Sequence, residues 1–142
     1  MGSQARFGYG TLVKMGDGGA PETFTAIAEV RGDISFSGLE SDEIEITTHN
    51  NAVNGRAKEK IPGLIDPGSL EIEINYLAND ATHVAVRNAW INQTKKNFQV
   101  LDPYGSLISC SGYIMSLPVT FPVADSINAK IKIMLTGLPT FA

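Results

Sequence analysis

The sequence predicts a mainly β protein, an antiparallel β-sandwich or partly open barrel with one packed α-helix. Three observations carry this. Several segments alternate apolar and polar residues with a period of two, most clearly Leu70, Ile72, Ile74 and Tyr76 against Glu71, Glu73 and Asn75, the pattern of a half-buried antiparallel strand. Clusters of Gly, Pro and Asp separate these runs at short intervals. A single segment, 80–93, has apolar residues at helical spacing.

In chain order, residues 9–14 form a first strand, closed by the turn Gly16-Asp17-Gly18-Gly19-Ala20-Pro21. Residues 23–30 alternate, with Phe24, Ala26, Ala28 and Val30 on one face. Residues 34–36 continue after a break at Gly32-Asp33. Strand-like runs at 42–48 and 70–76 have acidic alternate positions. In 80–93, Thr82, Val86, Ala89 and Trp90 share a face behind an N-cap at Asn79 or Asp80, and Trp90 is expected to plug the helix onto the sheet. Runs at 98–101 and 107–117 bracket Asp102-Pro103-Tyr104-Gly105, whose second-position Pro and fourth-position Gly suit a type I hairpin turn. The last strand, 127–135, turns Ile127, Ala129, Ile131, Ile133 and Leu135 inward and Asn128, Lys130 and Lys132 outward.

At 142 residues the chain is expected to be one domain, 1–142, large enough for a real core. With 18% charged and 43% hydrophobic residues its composition is not that of a disordered chain. No apolar run approaches the ~18 residues of a membrane span, so no membrane partner is expected. The N-terminus lacks the apolar stretch of a secretory signal. A net charge of −4 argues against a sequence-independent nucleic-acid binder, which needs a basic face.

Chemistry is hard to place. The one cysteine, Cys110, excludes an internal disulfide and fits a small apolar core residue. The two histidines, His49 and His83, have no metal-ligand spacing, and no phosphate loop or nucleophile elbow is present. Arg31-Gly32-Asp33 and Asn92-Gln93-Thr94 match short adhesion and glycosylation signatures by chance. No catalytic residue, metal or cofactor is expected, and an enzyme is the least favoured class.

The long polar segment 49–66 has neither helical nor alternating spacing. Structureless loops beyond ~12–15 residues are uncommon in compact domains and are usually functional or disordered. This one ends in the apolar cluster Ile61-Pro62-Gly63-Leu64-Ile65, which points to a loop that orders against a partner. Ile61, Leu64 and Ile65 are the candidate anchors, with Arg56, Lys58 and Lys60 setting register against acidic groups. The paired carboxylates Glu71 and Glu73, and Glu43 and Glu45, have two readings. One is a solvated sheet face with Lys130 and Lys132 as cross-strand partners; the other is an acidic wall lining a pore.

Five features taken together carry a resemblance: Ile46-Thr47-Thr48-His49, the long segment with Ile61-Pro62-Gly63-Leu64-Ile65-Asp66, Gly68, Phe121-Pro122-Val123-Ala124-Asp125, and Thr136-Gly137-Leu138-Pro139-Thr140. In order and spacing they resemble the major tail tube proteins of long-tailed bacteriophages with non-contractile tails, across roughly residues 24–140. The resemblance implies hexameric rings, stacked through the long loop into the conduit for DNA ejection. It also implies a virion location, assembly in the bacterial host cytoplasm, and tape measure, tip and terminator proteins as partners. DNA would pass without specific binding along an acidic wall, here Glu71 and Glu73 first, then Glu43 and Glu45. The chain departs from the family pattern at Ala57-Lys58-Glu59-Lys60, at Ala124 before Asp125, and at Met134-Leu135. The alternatives are an inner-tube or terminator ring subunit of a contractile or secretion-type system, and a monomeric β-sandwich binding module.

Overall fold

A computed structural model describes residues 2–6, 8–48 and 57–142. Its strands are β1 (Leu12–Gly16), β2 (Phe24–Ala26), β3 (Val30–Ser37), β4 (Glu40–Glu45), β5 (Lys60–Asp66), β6 (Ser69–Asn75), β7 (Lys96–Leu101), β8 (Leu107–Ser116), β9 (Val119–Thr120), β10 (Asn128–Leu135) and β11 (Thr140–Phe141). One helix, α1 (Ala81–Ile91), lies between β6 and β7.

Nine strands form one antiparallel sheet in the order β2-β1-β7-β8-β10-β6-β3, with β11 added to β8 and β9 to β10. Its end strands, β2 and β3, are joined by only three residues, Ile27 to Glu29. At about 3.3–3.6 Å per residue so short a link forces the sheet to curl back on itself. The result is an open barrel, with β2 and β3 unpaired to each other.

The core fills the inside of this curl. Leu70, Ile72 and Ile74 of β6 and Ala129, Ile131, Ile133 and Leu135 of β10 are all buried, as the period of two requires. They meet Val13, Phe98, Val100 and Ile114 from β1, β7 and β8. Gly112 allows close packing of β8 on β10, because a Cβ there would lie 2.2 Å from the Met134 carbonyl oxygen. Cys110 is buried, and loss of water contact pushes its thiol up to about 11.

The helix forms where its cap and spacing place it. Asp80 is the N-cap, accepting from the Thr82 and His83 amides. Its buried face is His83, Val86 and Ala89. Trp90, expected as the plug, is 38% exposed, and Ile127, expected inside, is 42% exposed. The plug is His83 instead. Its Nδ1 accepts from the Leu77 amide at 3.0 Å, so its Nε2 donates to the Ala28 carbonyl at 2.6 Å, and Tyr76 stacks on its ring. Both ring nitrogens are satisfied by backbone, which lets an imidazole replace an apolar side chain in the core.

Three other boundaries differ from the sequence pattern. β1 runs from Leu12 to Gly16. The run 23–30 is broken at Ile27 to Glu29, where Glu29 takes a φ of 60°. Gly32-Asp33 is a bulge within β3, not a break. The predicted hairpin between β7 and β8 is present; Asp102 accepts from the Tyr104 and Ser106 amides.

Candidate assembly surfaces: a two-stranded arm and a charged sheet face

Segment 49–66 is not a loop throughout. Residues 49–56, including His49 and Arg56, lie outside the described residues. Residues 60–66 form β5, which pairs with β4 in a separate two-stranded sheet. Thr47 and Glu59 extend this ribbon: the Glu59 amide donates to Thr47 Oγ1 at 2.8 Å and the Ile46 amide to the Glu59 carbonyl at 2.9 Å. Pro62-Gly63 conceals the strand in the sequence, because both residues weaken a strand interior. A two-stranded ribbon tolerates them, since each strand has a free edge.

The arm continues the β3–β6 pair. Ser37 pairs with Ser69 at the end of the main sheet, and Glu40 pairs with Asp66 at the start of the arm. Between them Gly38 and Gly68 face each other with φ of 76° and 75°, backbone that L side chains avoid. A Cβ on Gly68 would lie 1.9 Å from the Ser37 carbonyl oxygen. The double glycine is therefore a kink that turns a continuous ribbon off the barrel.

Beyond that kink the ribbon has no core. Every residue of β4 is exposed, and Gly63 alone in β5 is half-buried. The register places Ile44 opposite Ile61, with the Ile44 side chain over Gly63, where a Cβ would come within 3.2 Å of it. Glu43 and Glu45 lie opposite Pro62 and Lys60 on the other face, and Lys60 Nζ reaches Glu43 Oε2 at 3.3 Å. Lys60 thus has a partner on its own arm. Lys58 is exposed, Ile61 and Ile65 are exposed, and Leu64 stands out at 81%.

Glu71 and Glu73 sit elsewhere, on the outer face of the main sheet. The register builds two rows across β3, β6 and β10. Glu73 lies between Arg31 and Lys130, and Glu71 between Ser35 and Lys132. Lys130 and Lys132 are thus the cross-strand partners of the two glutamates. A concavity of about 420 Å³ opens over these rows, also lined by Asp33 and Ser116. The four candidate glutamates form two separate groups, because β4 pairs with β5 and not with β6.

In the sequence Arg31 reads only as part of a chance tripeptide. It holds one end of this face together. Its guanidinium lies 3.6 Å from Glu73 and 3.7 Å from Asp125, and it donates to Asn75 Oδ1 at 3.2 Å and Ser126 Oγ at 2.9 Å. Through it the segment carrying exposed Phe121 and Val123 is tied to β3 and β6. Among the described residues no group of three or more His, Cys, Asp or Glu side chains is placed to hold a metal, and no helix is long and apolar enough to cross a membrane.

A curled antiparallel sheet with one helix is the fold of tube-forming tail proteins. The chain aligns with the tail of an empty gene transfer agent (GTA) particle, refined with C6 symmetry, at a TM-score of 0.75 and 19% identity over 97% of this chain and 99% of that one. It aligns with the SPP1 tail tube at 0.66 and 18%, over 93% of this chain and 77% of that one. A sheath–tube complex of an extracellular contractile injection system gives 0.63 and 18%, over 99% and 93%. No curated protein matches the chain in sequence. The model of the lambda phage tail tube protein family matches residues 9–142. The chain belongs to that family, and is a structural tail tube protein of phage-like virions.

Proposed function

We propose that this chain is the repeating subunit of a long, non-contractile phage tail, closing into six-membered rings that stack into the conduit for the genome. The observation that carries this reading is the arm. A ribbon with exposed Ile44, Ile46, Ile61, Leu64 and Ile65 and no core of its own is stabilised only by surface from elsewhere. Each Å² of apolar surface removed from water contributes about 25 cal/mol. In this reading the arm docks on a different patch of the next copy, a heterologous contact that propagates. Arg56, Lys58 and Lys60 are the basic groups of this contact.

Six-fold closure is supported by likeness to the GTA tail, whose symmetry is C6. The free edge of β3, at the end of the sheet path, is suited to strand addition from a neighbour. In this reading the face of Glu71 and Glu73 lines the bore, and Glu43 and Glu45 act at the arm. DNA slides through without specific binding. Tape measure, tip and terminator proteins are the other partners, assembly takes place in the host cytoplasm, and no chemistry is catalysed. A second reading, the inner tube of a contractile system, rests on the likeness to the sheath–tube complex; a sheath around native particles would establish it.

The test is negative-stain microscopy of the purified protein across a concentration series, with Leu64→Asp beside it. Hollow tubes from the parent and folded, unassembled Leu64→Asp are expected. A monomer at every concentration, even with tail-tip complexes added as template, would overturn the reading. An unfolded Leu64→Asp would show that the arm belongs to the core.

A further inference from the structure

We propose that Arg31 is a positioning residue for assembly: it locks the loop 121–127 in the shape in which Phe121 and Val123 meet the next copy of the chain. The inference rests on the stacking reading above and gives it a second contact, at the end of the barrel away from the arm.

The loop closes the hairpin of β9 and β10, between Thr120 and Asn128. Its two halves differ. In the first, Phe121 is 71% exposed and Val123 fully so. The second is tied down by polar groups. Arg31 lies 3.7 Å from Asp125 and donates to Ser126 Oγ at 2.9 Å. That hydroxyl donates in turn to Asn75 Oδ1 at 2.9 Å, which also accepts from Arg31 at 3.2 Å. Asn128 Nδ2 donates to the Ser126 carbonyl at 3.3 Å, and the Tyr76 amide to the Ile127 carbonyl at 2.9 Å. Arg31 Nε faces Glu73 at 3.6 Å, which holds the guanidinium on the sheet. One planar group thus joins the loop, β3 and β6, a geometry that the point charge of a lysine does not reproduce.

Holding an exposed loop adds nothing to the core, and fixing its backbone costs entropy. What the lock supplies is preorganisation: a contact segment already ordered in the free chain loses less freedom when it docks. Position names the occupant. The arm leaves β6 at Ser69, and the loop is tied to β6 at Asn75, about 20 Å further along the strand. In a head-to-tail stack, one end of each copy faces the opposite end of the next. In that reading the apolar pair of the loop meets the arm-bearing end of a neighbouring copy, where Ile44, Ile61, Leu64 and Ile65 are exposed.

Two measurements test this together: the critical concentration for tubes, read by light scattering and microscopy, and hydrogen exchange of the unassembled chain. Arg31→Met should speed exchange selectively in residues 120–128 and raise the critical concentration roughly tenfold or more. Arg31→Lys, which keeps the charge but not the planar group, should behave the same way. Ser126→Ala, which removes only a hydroxyl of the loop, should move both readouts in the same direction by less. Phe121→Ser/Val123→Ser should raise the critical concentration as far, with the exchange of residues 125–128 unchanged. Adding Arg31→Met to that pair should raise it no further, because the lock acts only through those two side chains. Three results would each overturn the proposal. They are parent-like assembly of Arg31→Met, exchange quickened throughout the sheet in both Arg31→Met and Ser126→Ala, and fully additive losses in the combined variant. Any of these beside normal tubes from the parent sinks the lock alone. A parent that never assembles, even on tail-tip complexes, overturns the stacking reading and the role of the lock with it, while selective exchange in Arg31→Met would still establish the tie.

Discussion

The same two-stranded ribbon is a core element in one half and solvent-exposed in the other. Along β6 the residues alternate buried and open, and its apolar side chains lie in the barrel. Across the Gly38–Gly68 kink, β5 has comparable apolar content, and its Ile61, Leu64 and Ile65 are all exposed. Hydrogen bonding is alike in both halves; what differs is whether a third layer exists to bury the side chains. A hairpin with no such layer is marginal in water. Stability therefore belongs to the body, and recognition is the role we propose for the arm.

The largest effect that tests this division is in the body. Phe98 is wholly buried in β7, and Phe98→Ala should cost about 3–5 kcal/mol. A urea melt should show that loss, whereas Leu64→Asp should stay within about 0.5 kcal/mol of the parent. Equal midpoint shifts in the two variants would erase the distinction between body and arm.

A smaller loss is expected at the helix plug. His83→Phe keeps a ring against Tyr76 but leaves the Leu77 amide and the Ala28 carbonyl without their partner. Each unmade bond costs about 1–3 kcal/mol. The turn is only partly buried, which places the total near 2 kcal/mol by the same rule. A parent-like melt would show that water replaces the imidazole at no cost.

At the junction, Gly68→Ala brings a Cβ against the Ser37 carbonyl and holds a left-handed backbone at about 1–2 kcal/mol. The arm has no core to hold it in place, so it should relieve the overlap by swinging. The expected outcome is a modest loss in the melt with a large loss of assembly by microscopy. Normal tubes from this variant would mean that the kink does not aim the arm.

The body was legible in the sequence where one face meets a core. β6, β7, β8 and β10 follow from alternation, and α1 from Asp80 and its spacing. The arm was half legible. β4 shows its alternating carboxylates, but β5 contains Pro62-Gly63 and has no buried face to impose a period of two. His83 took the inward place expected of Trp90: hydrophobicity ranks tryptophan inward, while two backbone groups, the Ala28 carbonyl 55 positions away and the Leu77 amide 6 positions away, were waiting for the imidazole. Such partners have no signature in local sequence. Arg31 was missed for the same reason: its meaning depends on Glu73 and Asp125, 42 and 94 positions away.

The smallest expected effect concerns pH and again separates the two regions. Asp80 is held below its ordinary 3.8 by the Thr82 hydroxyl, then by the amides of Thr82 and His83. Asp102 is lowered by the Ser106 and Tyr104 amides, and Asp17 by those of Gly19 and Thr23. A carboxyl whose folded value is depressed stabilises the fold above its unfolded value, and that contribution is lost as pH falls through the folded value. All three belong to the body: the helix cap, the β7–β8 turn and the turn after β1. The body should lose stability below about pH 4. Asp80→Asn, which keeps a good cap but not the charge, should flatten part of that loss. The readout is the thermal midpoint between pH 6 and pH 2.5. A variant with the parent's acid slope would show that the charge on Asp80 contributes nothing beyond the hydrogen bonds of its cap.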